Sequence, residues 1–445
     1  MSATAASVRT ILAKGVGAVF ALKIAGALVV IGTQVLLARL LGVGDYGAYA
    51  YALAWLQVLL VLGMVGLDTL TVRYTAEYGA TGDWQGLRGL LTTPTRWVVA
   101  ASSIVALLAA LFVWSLKSVL PPEQPPVLWA ACIALPLVTL ATVKLAALRG
   151  FKQILRAESS DTVMRNTLLV AVVVGIYLST GMVTAAQTMV AYVAVSAVIL
   201  AIAIVWVRAA VPVAAKGAQA SATDAPIWVR TALPLWGMAL MGILLNRLDI
   251  LMLGAMVGTE ASGIYTAVTR LAELTAFGLM AVNAFIAPRV AELFRAGKHA
   301  ELQQLITWSA RGIAVVTLLG ASTFALFGEF ALGLFGSDFR HGYGALMLLL
   351  LGQLVNGLCG SVGLILTMTG HERRAAWIMC WSAVLNAVLN AVLIPMWGMV
   401  GAAAATAVTL VIWNVWMLVV VVRTLRLNPT CFFVPTPTYS RNQVG

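Results

Sequence analysis

Six ionisable side chains stand in stretches of sequence that are otherwise apolar: Lys23, Asp68, Arg247, Asp249, Arg270 and Glu273. On insertion scales such a group costs a few kcal/mol inside a bilayer, so each calls for a partner or a task. The cations Lys23, Arg247 and Arg270 are of the type that holds phosphate or sugar oxygens. The carboxylates Asp68, Asp249 and Glu273 can pair with those cations or bind a proton or sodium ion. Spacing narrows the choice. Arg270 and Glu273 are i,i+3 neighbours and can pair on one helix, while Asp249 can reach Arg270 across a tight turn. Arg247 and Asp249 lie about 200° apart around a helix and so do not serve the same partner. Lys23 and Gln34, eleven residues apart, complete three turns to within about 20° and share a face. Lys23 then either meets an anionic group entering from the cytoplasm, or snorkels to the interface or pairs with Asp68. The Arg247–Glu273 group is either an ion-pair cluster that fixes helix packing or a site where one arginine holds a ligand. Spacing alone leaves both alternatives open.

The elements that position these groups follow from composition. Of 445 residues, 61% are hydrophobic and 10% charged, and the mean hydropathy is +0.97. Soluble domains average roughly 45–50% apolar and about 25% charged residues, which excludes a soluble enzyme. Apolar blocks fall at 15–38, 47–70, 97–116, 127–148, 163–180, 184–207, 231–256, 263–286, 306–335, 343–369, 376–395 and 399–422. Each suffices for one crossing at about 20 residues per span. The expected fold class is an all-α integral membrane protein of twelve transmembrane helices. Residues 15–38 exceed a signal-peptide core and read as a retained first span. Trp97, Trp114, Trp129, Trp228 and Trp397 near the block ends suit an interfacial belt.

The net charge is +12. With twelve spans, 22 of the 28 basic residues fall in the loops that share a side with both termini, against Arg39, Lys117 and Arg340 opposite. This bias predicts cytoplasmic termini rather than a nucleic-acid surface. Residues 209–229, rich in Ala, Ser and Pro, read as a cytoplasmic linker between an N-terminal six-helix lobe at 1–208 and a C-terminal one at 230–423, with a cytoplasmic tail at 424–445. Segments 73–91 and 289–305 read as amphipathic surface helices. Gly47, Tyr49 and Arg73 return 216 residues later as Gly263, Tyr265 and Arg289, and Gly181-Met-Val returns 217 later as Gly398-Met-Val. Such spacing predicts a six-helix repeat about an axis along the membrane normal, with a cavity between the lobes as the default substrate site. Asn356, Asn386 and Asn390 read as interhelical hydrogen-bonding groups, and Trp236, Trp381 and Trp413 as packing residues or sugar-stacking rings. No phosphate loop, no disulfide framework among the four cysteines and no metal-ligand spacing among His299, His341 and His371 is present, so neither cofactor nor metal is expected.

Two segments carry a family resemblance. Ala38–Tyr49, ARLLGVGDYGAY, and Asn246–Tyr265, NRLDILMLGAMVGTEASGIY, resemble the signature stretches of the polysaccharide transport family. That family holds oligosaccharide and O-antigen flippases within the multidrug/oligosaccharidyl-lipid/polysaccharide exporter superfamily. The resemblance implies two six-helix lobes that rock around a central cavity in the bacterial cytoplasmic membrane. It implies translocation of a polyprenyl-pyrophosphate-linked saccharide by alternating access, for polysaccharide biosynthesis, and no enzyme activity. Lys23, Arg247 and Arg270 are then the expected substrate-binding cations, Gln34 a polar cavity residue, and Asp68, Asp249 and Glu273 the ion-coupling or ion-pairing groups. Membrane lipids, H+ or Na+ and other polysaccharide-assembly proteins are the further expected partners. The related lipid II flippases usually carry two additional helices. The alternatives are a multidrug/cation antiporter of the same superfamily, which would depend on acidic groups, and a membrane glycosyltransferase or polymerase, which would need paired carboxylates or a sizeable external loop.

Overall fold

In hydrocarbon no water satisfies a free backbone N–H or C=O, so a chain of this composition must close its hydrogen bonds within each segment. The computed structural model describes residues 2–221 and 224–432, with side chains from residue 22 onward, and every regular element among them is helical. Among the described residues ten helices are long and apolar enough to cross a membrane. Along them side chains such as Leu107, Leu108, Leu111, Phe112, Leu326 and Phe330 are exposed. An apolar exterior of this kind is stable against lipid, and the chain is a multi-pass membrane protein.

Two of the ten are at least twice as long as one crossing needs. Leu22–Met64 has 43 residues and Glu372–Leu425 has 54, against the roughly 20 that span a ~30 Å core. Each is bent at one glycine outside the helical region, Gly42 at φ 72°, ψ 175° and Gly398 at φ 55°, ψ −128°. Where block spacing predicts loops at 39–46 and 396–398, a single left-handed glycine redirects the helix. The lack of a Cβ makes this possible.

Elsewhere apolar blocks that read as unbroken are interrupted. The 263–286 block is divided between Thr259–Thr275 and Phe277–Arg295, separated at Ala276. The 343–369 block is divided between Tyr343–Cys359 and Val362–Met368 at Gly360. Gly360 has φ 69°, and a Cβ there would lie 2.5 Å from the Pro429 carbonyl oxygen, so the close approach of the tail requires glycine. The two segments expected as single amphipathic helices are also each divided by a left-handed glycine. Gly82 separates Leu67–Thr81 from Trp84–Ser115, and Gly297 separates Phe277–Arg295 from His299–Gly333. Asp83 caps the second of these helices, its Oδ1 accepting the Gly86 N–H at 2.9 Å. Left-handed residues recur at a near-constant separation: Gly42 and Gly258, Gly82 and Gly297, Lys152 and Gly370, and Gly181 and Gly398 are each 215 to 218 residues apart.

The chain divides into two compact units, Met1–Ile243 and Leu244–Gly445, with the boundary inside the Ala225–Met256 helix. In the first unit the 209–229 stretch, expected as a bare linker, is seated on folded structure. Tyr78 donates to Asp224 Oδ2 at 2.5 Å, and the fully buried Trp228 donates from Nε1 to the Tyr78 hydroxyl at 3.1 Å. Ala215 and Trp228 share a core with Leu67, Leu70, Leu87, Leu90 and Val98. Burial and the Asp224 carboxylate both push the Tyr78 phenol well above its usual range, so it stays a proton donor. The second unit is centred on Ile286, Val290, Leu302, Ile365, Leu366 and Val421.

Candidate functional site

The second unit gathers four of the six intramembrane charges. The Ala225–Met256 helix ends at Gly258, whose φ of 128° lets the chain turn into Thr259–Thr275. Arg247 and Arg270 stand on these two helices about 14 and 16 Å from their ends at the turn, at 1.5 Å per residue. They therefore stand at a similar distance from the turn. Glu273 lies between them, with Oε2 2.9 Å from Arg270 Nη1 and Oε1 3.9 Å from Arg247 Nη1. The Arg247 side chain is 12% exposed and that of Glu273 42%. Nε of Arg270 is buried without a hydrogen-bond partner. Two cations share one half-open carboxylate, Arg247 also donates to the Asn246 carbonyl at 3.1 Å, and the Asp249 carboxylate two residues on from Arg247 balances the charge of the group.

Asp249 has a different role, as its angular separation from Arg247 requires. It is 3% exposed and accepts three hydrogen bonds, from the Tyr265 hydroxyl at 2.8 Å, Thr406 Oγ1 at 3.2 Å and the Ile250 N–H at 2.8 Å. The expected reach of Asp249 to Arg270 is not made, because hydroxyl donors from two other helical segments already occupy the carboxylate. Tyr265 is legible in the sequence only as a repeat landmark, and Thr406, 157 residues away, carries no signal.

In the first unit Lys23 is exposed on the first helix and forms no ion pair among the described residues. Gln34 is buried and accepts from the Tyr46 hydroxyl at 2.9 Å. Asp68 is half-buried in the first turn of Leu67–Thr81, where a helix N-terminus favours negative charge. The alternative Lys23–Asp68 ion pair is not formed. The structure adds a buried cation within the 163–180 block. Arg165 follows a π-helical turn at Ser159–Met164, is 6% exposed, and bonds Asp161 at 3.0 Å and Ser196 Oγ at 3.1 Å, with Arg149 pairing Glu158 at 3.0 Å nearby. The i,i+4 spacing of Asp161 and Arg165 is the sequence signal for this pair.

Of the three asparagines expected to bond between helices, Asn390 bonds Asn386 Oδ1 at 2.9 Å and Asn356 bonds Gln353 Oε1 at 3.1 Å within their own helices, while Asn386 Nδ2 reaches Thr409 Oγ1 at 3.4 Å across the Gly398 bend. Trp236 donates to the Val61 carbonyl at 3.0 Å and is a packing residue. Among the described residues no group of His, Cys, Asp and Glu is arranged to hold a metal.

A family model described as polysaccharide biosynthesis protein matches residues 12–294. The chain belongs to this family. Solved structures share its fold at low identity. One is an inward-facing multidrug resistance MATE family transporter of the MOP superfamily, with TM-score 0.74 and 13% identity over 88% of this chain and 92% of that one. Another is the lipid II flippase MurJ in an inward closed conformation, with TM-score 0.71 and 12% identity over 90% and 87%. A third is a MOP superfamily transporter from Pyrococcus furiosus, described as having a reversed polarity of its binding pocket, with TM-score 0.61 and 11% identity over 91% and 94%. A search of curated protein sequences finds no match. The fold of this family member is thus a MOP-type transporter fold.

Proposed function

We propose that the protein is a flippase that moves a polyprenyl-pyrophosphate-linked oligosaccharide across the bacterial cytoplasmic membrane by alternating access, for polysaccharide biosynthesis. The observation that carries this reading is the Arg247–Glu273–Arg270 group, in which two guanidinium groups share one half-exposed carboxylate and the buried Arg270 Nε–H has no acceptor. A diphosphate displaces the half-exposed Glu273 and takes the guanidinium donors, including the buried Arg270 Nε–H, while the prenyl chain stays in lipid. Lys23, exposed and without an ion pair, is the first cation such a substrate meets from the cytoplasm. Counting the two glycine-bent helices as two crossings each turns ten spans into twelve, and the basic-residue bias then places both termini in the cytoplasm. The constant separation of the left-handed residues supports two six-helix repeats. A cation antiporter would need an acidic site open to its cargo. Asp249, the most buried carboxylate of the group, is instead held by three donors, which favours the flippase.

Loss of the protein should leave lipid-linked oligosaccharide on the cytoplasmic face, measured by enzymatic access in inverted and right-side-out vesicles. An unchanged outward-face pool refutes the reading. Lys23→Ala, Arg247→Ala and Arg270→Ala should each abolish complementation while the protein still inserts, and full activity in all three refutes the site.

A further inference from the structure

A second basic site lies in the first unit, away from the arginine–glutamate group. A cavity of about 430 Å³ is lined by Arg88, Leu91, Arg208, Val211, Ala215 and Lys216. Three of the six lining residues are cations, three are apolar, and none is acidic. The parts come from three elements. Arg88 stands in the first turns of Trp84–Ser115, Arg208 ends Ala185–Ala210, and Lys216 sits on the short Val213–Gly217 helix of the 209–229 stretch. The stretch is fixed there: an Arg88 Nη1 donor bonds the Lys216 carbonyl, and Ser221 N–H bonds the Gln85 carbonyl at 3.2 Å.

Among the described residues no carboxylate forms an ion pair with Arg88, Arg208 or Lys216. The nearby acids are already engaged, Asp83 by the Gly86 N–H and Asp224 by the Tyr78 hydroxyl. The side chains of Arg208 and Lys216 form no hydrogen bond or ion pair among the described residues. A fourth cation underlies the floor, since Lys144 Nζ donates to the Leu91 carbonyl at 3.4 Å and to Thr95 Oγ1 at 2.8 Å. The level is that of an interface. Trp206 precedes Arg208 by two residues, and the Arg156 guanidinium lies over its ring at 5.8 Å. Uncompensated cations around an apolar floor at headgroup level match a phosphate joined to hydrocarbon.

We propose that this cavity binds the phosphate of a membrane lipid, with Arg88, Arg208 and Lys216 around the phosphate oxygens and Leu91, Val211 and Ala215 against the first carbons of its tails. The site is independent of the flippase reading, because it needs no transport. The bound lipid ties the 209–229 stretch to the ends of two spanning helices.

The test uses the full chain in phosphatidylcholine nanodiscs doped with phosphatidylglycerol or with a polyprenyl diphosphate, and free inorganic pyrophosphate as competitor. The readout is lipid retained per protein by native mass spectrometry. The triple variant R88Q/R208Q/K216Q is compared with R295Q/R373Q/R423Q, which removes the same charge elsewhere. At about fivefold per cation near a charged headgroup, the first variant should lose about 100-fold in affinity for the retained lipid, and the second should lose little. Retention by wild type should also fall as salt rises from 50 to 500 mM, a measurement that does not depend on how the variants fold. Preferential retention of phosphatidylglycerol assigns the site to a resident lipid, and preferential retention of the polyprenyl diphosphate assigns it to the transported class. Equal losses in both triple variants, salt-independent retention, or displacement by pyrophosphate at the lipid's own affinity overturns the proposal.

Discussion

Replacing Tyr265 by Phe removes one oxygen from the interior of the second unit and tests the state of Asp249 directly. The Tyr265 hydroxyl donates to Asp249 Oδ2 at 2.8 Å, and the Thr406 hydroxyl approaches the same oxygen at 3.2 Å. Tyr265 is fully buried, so the phenyl ring keeps its packing and no water replaces the lost donor. A hydrogen bond to an ionised group is worth about 1.5–3 kcal/mol, against about 0.5–1.5 kcal/mol between neutral groups. The surroundings of Asp249 consist of donors aimed at both oxygens, which is the environment of a carboxylate. The expected loss is therefore about 2–3 kcal/mol. In a unit of this size that lowers the melting temperature by on the order of 5–10 °C. Thr406→Val, which removes the longer bond, should cost about 1 kcal/mol. The 14 tryptophans permit melting to be followed by intrinsic fluorescence in detergent. Combining Tyr265→Phe with Asp249→Asn should recover about 1–2 kcal/mol relative to additivity, because the two residues act on one bond. If Tyr265→Phe melts within about 0.5 kcal/mol of wild type, Asp249 is not a carboxylate held by these hydroxyls and the assignment of its role falls.

Glu273→Gln leaves Arg247 and Arg270 facing each other without their shared carboxylate. Because Glu273 is 42% exposed, the cost should be about 1–2 kcal/mol rather than the 3–5 of a fully buried pair, read as melting temperature; no loss would show that the ion pairs contribute nothing to packing. Gly66→Ala places a Cβ 2.4 Å from the Ala232 carbonyl oxygen at a φ of +74° and should cost about 2–4 kcal/mol or abolish folding. Gly79→Ala, helical with open space around it, should instead be neutral or stabilise by up to about 1 kcal/mol, and equal effects at the two positions would refute the packing argument.

What the sequence discloses about these sites depends on how far apart the interacting groups lie. The Arg270–Glu273 pair is legible at i,i+3, and Asp161–Arg165 at i,i+4, because helix periodicity alone brings them together. The spans are legible because hydropathy records the solvent. The apolar blocks break at Gly42 and Gly398, but block counting does not reveal that a single left-handed glycine makes each break without a loop. Nor does it reveal that the 209–229 stretch is anchored. Its Ala- and Ser-rich composition describes an isolated chain, whereas Asp224 and Trp228 find Tyr78 about 150 residues away. Arg165 and Lys144 lie near the ends of the 163–180 and 127–148 blocks, where hydropathy does not tell a buried, partnered cation from one that reaches the interface.

The same physics separates the intramembrane charges by role. A bilayer offers no water, so a structural ionic group must be matched within the protein, and a group left unmatched awaits something outside it. Asp249 is matched by three donors and Arg165 by Asp161 and Ser196, so both belong to the scaffold. Glu273 is matched twice over, Arg247 also donates to the Asn246 carbonyl at 3.1 Å, and the Arg270 Nε–H is left without an acceptor. Lys23 has no partner among the described residues and is exposed. The order of dependence follows from this match: the less a cation is satisfied by the protein, the more its removal should fall on transport and the less on stability. Lys23→Ala should therefore leave melting unchanged, and the loss at Arg270, which also ends a 2.9 Å ion pair, should register in both.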